Sequence, residues 1–190
     1  LTSVTIPGSI TTMGSYAFAS CNGITTATID EGVTNIGEHA FHNCTKLTTL
    51  TIPSSLKSVG NNAFDGCSNL TSVYIADLKA WCGIDFPFYD DNPLYYADNL
   101  YLNGEKITEL IIPSGTIVIN RYAFANFEGF TSVKIPNTVT SIGIYAFYDC
   151  DKLTSVTIPG SITTMGSYAF AYCNGITTAT IDEGVTNIGE

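Results

Sequence analysis

Apolar residues recur along this chain in a fixed register with a period of 23. Units open with Leu, Ile or Phe at Leu1, Ile24, Leu47, Leu70, Ile107, Phe130, Leu153 and Ile176. Position four is aliphatic or Ala, and position six is Ile in all eight units, from Ile6 and Ile29 to Ile158 and Ile181. Residues two apart share one side of an extended backbone, so positions three to six predict a short strand with its apolar side inward. Pro7, Pro53, Pro113, Pro136 and Pro159 follow position six and end the strand, because Pro cannot donate to a ladder. Strands recurring every 23 residues in one direction predict parallel pairing. A unit this short buries its apolar face only against its neighbours, which is the logic of a solenoid.

The second half of a unit reads I-G-x-x-A-F-x-x-C, as in Ile142-Gly143-Ile144-Tyr145-Ala146-Phe147-Tyr148-Asp149-Cys150. The glycine predicts a bend where a side chain would clash or φ must be positive. The Ala-Phe pairs are expected on one helical turn, with the Phe side chains stacked as a spine. Cys21, Cys44, Cys67, Cys150 and Cys173 all occupy position 21, with Phe127 in that slot of the fifth unit. Equivalent residues of stacked strands sit ~4.8 Å apart with parallel Cβ vectors. That geometry opposes disulfides, so buried free thiols are expected.

These residues resemble the BspA-like leucine-rich repeats, whose pattern L-x-x-V-x-I-P…I-G-x-x-A-F-x-x-C runs over essentially the whole chain. The resemblance implies a leucine-rich-repeat-like solenoid, with a parallel β-sheet on one face and short helical turns and loops on the other. It also implies a cell-surface or secreted protein, mostly of host-associated bacteria and some parasitic protists, with a role in adhesion to matrix proteins or other cells. One continuous array over residues 1–190 is expected. Its fourth unit, 70–106, is enlarged by an insert at about 77–103 that looks like one recurring in the family.

Composition narrows the partners. Seventeen acidic residues against seven basic ones give a formal charge of −10 with no Lys/Arg cluster, which opposes nucleic-acid binding and docking on an anionic membrane. No apolar run is long enough to span a bilayer. Leu1–Glu38 and Leu153–Glu190 are identical except for Ser20 against Tyr172. The chain therefore reads as a slice of a longer array built by tandem copying. Apolar ends and end-to-end self-association are expected.

Two regions are candidate ligand sites. Position two is Thr throughout, and position three is Ser or Thr except at Glu109. Position five is Thr except at Tyr74, Ile111 and Lys134, which would form a contiguous stripe beside the insert. That stripe is either a ligand patch or packing support for the insert. Within the insert, Trp81, Tyr95 and Tyr96 lead a set of aromatics that either holds sugars or a partner, or forms a satellite core. Asp77 through Trp81 reads as an Asp-capped short helix, and Asn103-Gly104 as a hairpin turn. The insert's aspartates lack a calcium-loop pattern. His39, His42 and Cys44 suggest zinc only until Cys44 is recognised as a core position. No nucleophile elbow, phosphate loop or dinucleotide fingerprint occurs. The expectation is therefore a non-enzymatic binding or adhesion module with no cofactor or metal. Its partner would be a protein or glycan on host or neighbouring cells, and the alternative is an inert spacer.

Overall fold

A computed structural model describes residues 1–189. The chain is a parallel-stranded solenoid of about eight turns with little helix. Strands Ser3–Ile6, Thr26–Ile29, Thr49–Ile52 and Ser72–Ile75 pair in parallel, with Val4, Ala27, Leu50 and Val73 in one row. Ile6, Ile29, Ile52 and Ile75 are all buried beneath this sheet. Beyond the insert, Leu110–Ile111, Ser132–Lys134, Ser155–Ile158 and Thr178–Ile181 form a second parallel sheet.

The invariant threonine at position two has a structural cause. Thr25, Thr48 and Thr71 each donate their hydroxyl to the carbonyl of the equivalent Thr one coil earlier, at 3.0–3.2 Å. Thr154 and Thr177 do the same beyond the insert. Five coils also carry a second, two-residue strand that the repeat pattern does not announce: Asn35–Ile36 pairs with Ser58–Val59, and Val118–Ile119, Ser141–Ile142 and Thr164–Met165 pair in register beyond the insert.

The Ala-Phe segment is not a helical turn. Tyr16, Ser20, His39, Asn43, Tyr145 and Asp149 all have φ near +55 to +60°, and left-handed residues interrupt any helix. The backbone N–H groups of Tyr16, Phe18 and Ser20 instead donate forward to carbonyls of Glu38, Ala40 and His42 in the next coil. The expected spine does form. Phe18, Phe41 and Phe64 stack at 5.5 and 5.7 Å, and Phe124, Phe147 and Phe170 at 5.3 and 4.8 Å.

Six cysteines are free thiols, five of them buried and Cys21 only partly so. Cys44, Cys67, Cys150 and Cys173 each donate Sγ–H to the carbonyl of the spine Phe in the preceding coil, at 3.0–3.3 Å. Burial pushes the Cys67 and Cys82 thiols up to about 12.

Glycine in the I-G motif is needed for close approach. A Cβ on Gly143 would stand 2.4 Å from the Arg121 backbone nitrogen. In the coil after the insert Asn120 takes the place of this glycine, and its amide donates to the Gly83 carbonyl at 2.8 Å.

Phe64→Ala removes a fully buried ring from the spine and is expected to cost about 3–5 kcal/mol in denaturant unfolding. A thiol reagent applied to the native protein is expected to label Cys21 promptly and the five buried cysteines only on unfolding. Labelling of Cys67 or Cys82 at a rate like that of Cys21 would contradict their burial.

Candidate functional site

The insert closes a coil of its own and then interrupts the sheet. Asn99–Leu102 pairs in parallel with Ser72–Ile75, slightly more than one standard period later. The chain then reverses at Asn103-Gly104, so Glu105–Lys106 lies antiparallel to Asn99–Leu102 and ends the first sheet. The hairpin signal is thus realised. The helix Leu78–Cys82 also forms as read, with the Asp77 carboxylate accepting from the N–H groups of Lys79 and Ala80.

This geometry corrects the expected stripe. Tyr74 pairs in register with Tyr101, their rings stacked at 4.5 Å, because the insert's own strand occupies the place next to it. Ile111 lies in the second sheet, paired with Lys134. Lys134 Nζ meets Glu109 at 2.8 Å and lowers the pKa of that carboxyl, chiefly through the hydrogen bond. Glu109, Ile111 and Lys134 are therefore one cluster, and Tyr74 belongs to another.

The insert's aromatics divide. Trp81 is 1% exposed and is a core residue rather than a contact for a ligand. Its Nε1 donates to the Ala123 carbonyl at 2.9 Å, and it packs on Phe86 at 5.5 Å. Tyr96 is half-buried, with its hydroxyl 3.3 Å from Asp65. Tyr95 is exposed, together with Phe88 and Tyr89.

Side chains of the insert replace missing backbone partners. The Asn62 N–H, whose equivalents Tyr16 and His39 donate to the next coil's backbone, donates to Asp91 Oδ1. Asp91 Oδ2 accepts from the Phe88 N–H at 2.9 Å. The Ala123 carbonyl, whose equivalents Ala40 and Ala63 accept from the preceding coil's backbone, accepts from Asn92 Nδ2 and Trp81 Nε1. Burial pushes Asp91 up to about 6, while the two N–H groups pull in the other direction.

Phe88, Tyr89 and Tyr95 form one wall of a cleft of about 390 Å³ on the turn face. The following coils supply Tyr122, Tyr145 and Tyr148, and the polar lining is Asn126 and Asp149. Tyr122, Tyr145 and Tyr168 stack at 5.3 and 5.1 Å, within 5° of parallel, and Tyr148 meets Tyr145 edge-on at 5.2 Å. Asn126 and Asp149 share a left-handed position, with φ of 60° and 56°, and Asn126 Nδ2 donates to Asp149 Oδ2 at 3.1 Å. Burial raises the Asp149 pKa, with Asp151 and Glu128 adding to the rise. The tyrosines and Asn126 sit in the variable slots of I-G-x-x-A-F-x-x-C. The available signal was that the slot before Ala-Phe is Tyr in all three units after the insert, at Tyr122, Tyr145 and Tyr168.

Residues 1–80 and 96–190 match the BspA type leucine-rich repeat region, in six copies. The chain belongs to this family. The unmatched residues 81–95 are those of the insert from Trp81 to Tyr95. Among solved structures, this repeat chain is similar to a leucine-rich repeat protein from Bacteroides ovatus, with 28% identity and a TM-score of 0.62 over 99% of this chain and 48% of that one. It is also similar to a leucine-rich cell surface protein from Faecalibacterium prausnitzii, with 28% identity and a TM-score of 0.58 over 96% of this chain and 48% of that one. A leucine-rich repeat protein from Eubacterium ventriosum, 19% identical with a TM-score of 0.53 over 97% of this chain and 61% of that one, shares the fold. The BspA-type chain thus spans about half the length of the first two. No curated protein matches it. Among the described residues, no helix is long and apolar enough to cross a membrane.

The buried Asp91 predicts a pH signature. Its folded pKa lies above the ordinary 3.8, so the folded state holds a proton that the unfolded chain releases. Its contribution to stability is expected to fall as pH rises from about 4 to about 6, and Asp91→Asn should flatten that dependence in thermal unfolding followed across this range.

Proposed function

We propose that this chain is an extracellular or cell-surface adhesion module that binds a protein ligand of the matrix or of a host or neighbouring cell. A repeat array of this family displays surface on a stiff frame, and weak contacts along such a frame combine into avidity where several engage at once. The observation that carries the reading is the cleft. Three insert rings left in solvent, with Phe88 52% exposed, face a row of tyrosines on a backbone held by ladders on either side. Aromatic residues are enriched where proteins recognise one another, because they bring large area at low conformational cost. The surface location is supported by the family and by the Faecalibacterium relative, which is itself a cell surface protein.

The alternative is an inert spacer presenting another domain. One observation favours it for most of the strand face: the position-two hydroxyls hold the preceding coil's carbonyls, so the threonine rows have a stabilising role without any ligand.

Binding of the purified chain to immobilised matrix proteins and glycans separates the readings. Replacing Phe88, Tyr89 and Tyr95 by Ser is expected to lower attachment at least tenfold, about 1.4 kcal/mol or more, with little change in unfolding. Replacing Tyr74, Glu109, Ile111 and Lys134 by Thr or Ser is expected to have the smaller effect. Undiminished attachment by both variants would leave the spacer as the reading.

A further inference from the structure

The polar lining of the cleft accepts hydrogen bonds and holds negative charge, and this restricts what can fill it. Asn126 Nδ2 is committed to Asp149, which turns Asn126 Oδ1 the other way, buried and without a partner. Asp149 is the only charged residue among those lining the cleft, and Asp151 and Glu128 act on its carboxyl. Asp90 and Asp91 act on the Tyr122 phenol from the insert side, against the larger opposing effect of Arg121. The nearby cations are engaged elsewhere: Arg121 is paired with Asp85 at 2.9 Å, and Lys152 lies 3.7 Å from Glu128.

Around these acceptors stand rings whose faces carry partial negative charge. The Tyr122–Tyr145–Tyr168 column continues on one side only, and the insert brings Tyr89 and Tyr95, tilted to each other at 5.4 Å, to its open end. A flat, positively charged, donor-rich group satisfies all of these features together. An anion would face the Asp149 carboxylate with the nearby cations already paired, and a neutral sugar leaves the field unused. A guanidinium is planar, stacks on aromatic faces, donates through a rigid fork, and keeps its charge at any physiological pH.

We propose that the cleft between the insert and the two following coils is a receptor for an arginine side chain presented by a basic segment of a partner protein. Tyr89, Tyr145 and Tyr148 flank the guanidinium, while the Asp149 carboxylate, held in place by Asn126 Nδ2, accepts its N–H groups. The proposal deepens the adhesion reading and rests on the cleft as the recognition surface.

The test is an NMR titration of the whole chain at physiological salt, where the diffuse field of a −10 protein is screened beyond about 8 Å. The probes are a blocked peptide with one Arg among Gly and Ser, its citrulline counterpart, which keeps the shape and loses the charge, and lactose as a neutral sugar. The Arg peptide is expected to bind with a dissociation constant on the order of 1 mM and to shift the Asn126 side-chain amide. The citrulline peptide is expected to bind at least tenfold more weakly. Tyr89→Ala and Tyr148→Ala leave the net charge unchanged and are expected to weaken the Arg peptide about fivefold. Equal affinity for Arg and citrulline overturns the proposal. So does an Arg affinity that both tyrosine variants leave intact, or lactose displacing an Arg peptide from these residues. The titration needs no attachment partner, so it reports on the cleft whether or not the chain adheres to matrix. Arginine binding combined with attachment that ignores the cleft would remove the adhesion reading and leave the receptor standing.

Discussion

Each coil of this protein depends on the next for its backbone hydrogen bonds. Residues on the strand side, the short second strands and the left-handed turn segment all donate to or accept from the equivalent residues one period away. A buried peptide group without a partner costs on the order of 1–3 kcal/mol, so the register between coils cannot slip. The hydroxyls of Thr25, Thr48, Thr71, Thr154 and Thr177 and the thiols of Cys44, Cys67, Cys150 and Cys173 extend the same rule to side chains, finding their acceptors in the preceding coil. The spine of phenylalanines and the columns of isoleucine then fill the space that this register defines.

The insert is informative because it breaks the period without breaking the rule. Where the expected coil is absent, Asp91, Asn92, Trp81 and Asn120 supply hydrogen-bonding side chains to the stranded N–H and C=O groups on either side. The loss of the motif glycine at Asn120 has the same origin. That glycine exists to admit the neighbouring coil's backbone, and at this one place the neighbour is a loop end that an amide can reach.

How far the sequence reads through to structure follows from which features repeat. Columns of Ile6, Phe18 and Cys21 equivalents are legible because burial acts identically on every copy. The Ala-Phe segment misleads because apolar spacing alone does not report φ, and residues such as Tyr16 and Asn43 take left-handed conformations only under the pull of the next coil's carbonyls. Tyr74 and Ile111 were expected side by side because counting by units passes over Asn99–Leu102, a strand whose register is set by pairing and not by the repeat. The insert occurs once, so no period says which of its aromatics face inward. Trp81 and Tyr95 are told apart only by what surrounds them. The cleft escaped notice because half of it lies in variable slots of a motif read for its constant ones.

The two parallel sheets are separate ladders, with the Asn103-Gly104 hairpin between them. Elsewhere along the strand side, a pull directed down the stack is carried by rungs of main-chain bonds. At this seam the main-chain rungs are few, such as the Asn120 N–H to the Cys82 carbonyl, and side-chain links such as Trp81 to Ala123 and Arg121 to Asp85 share the load. Those links lie beside the aromatic cleft, so a stretch of the stack held by few main-chain rungs adjoins the surface proposed above for recognition.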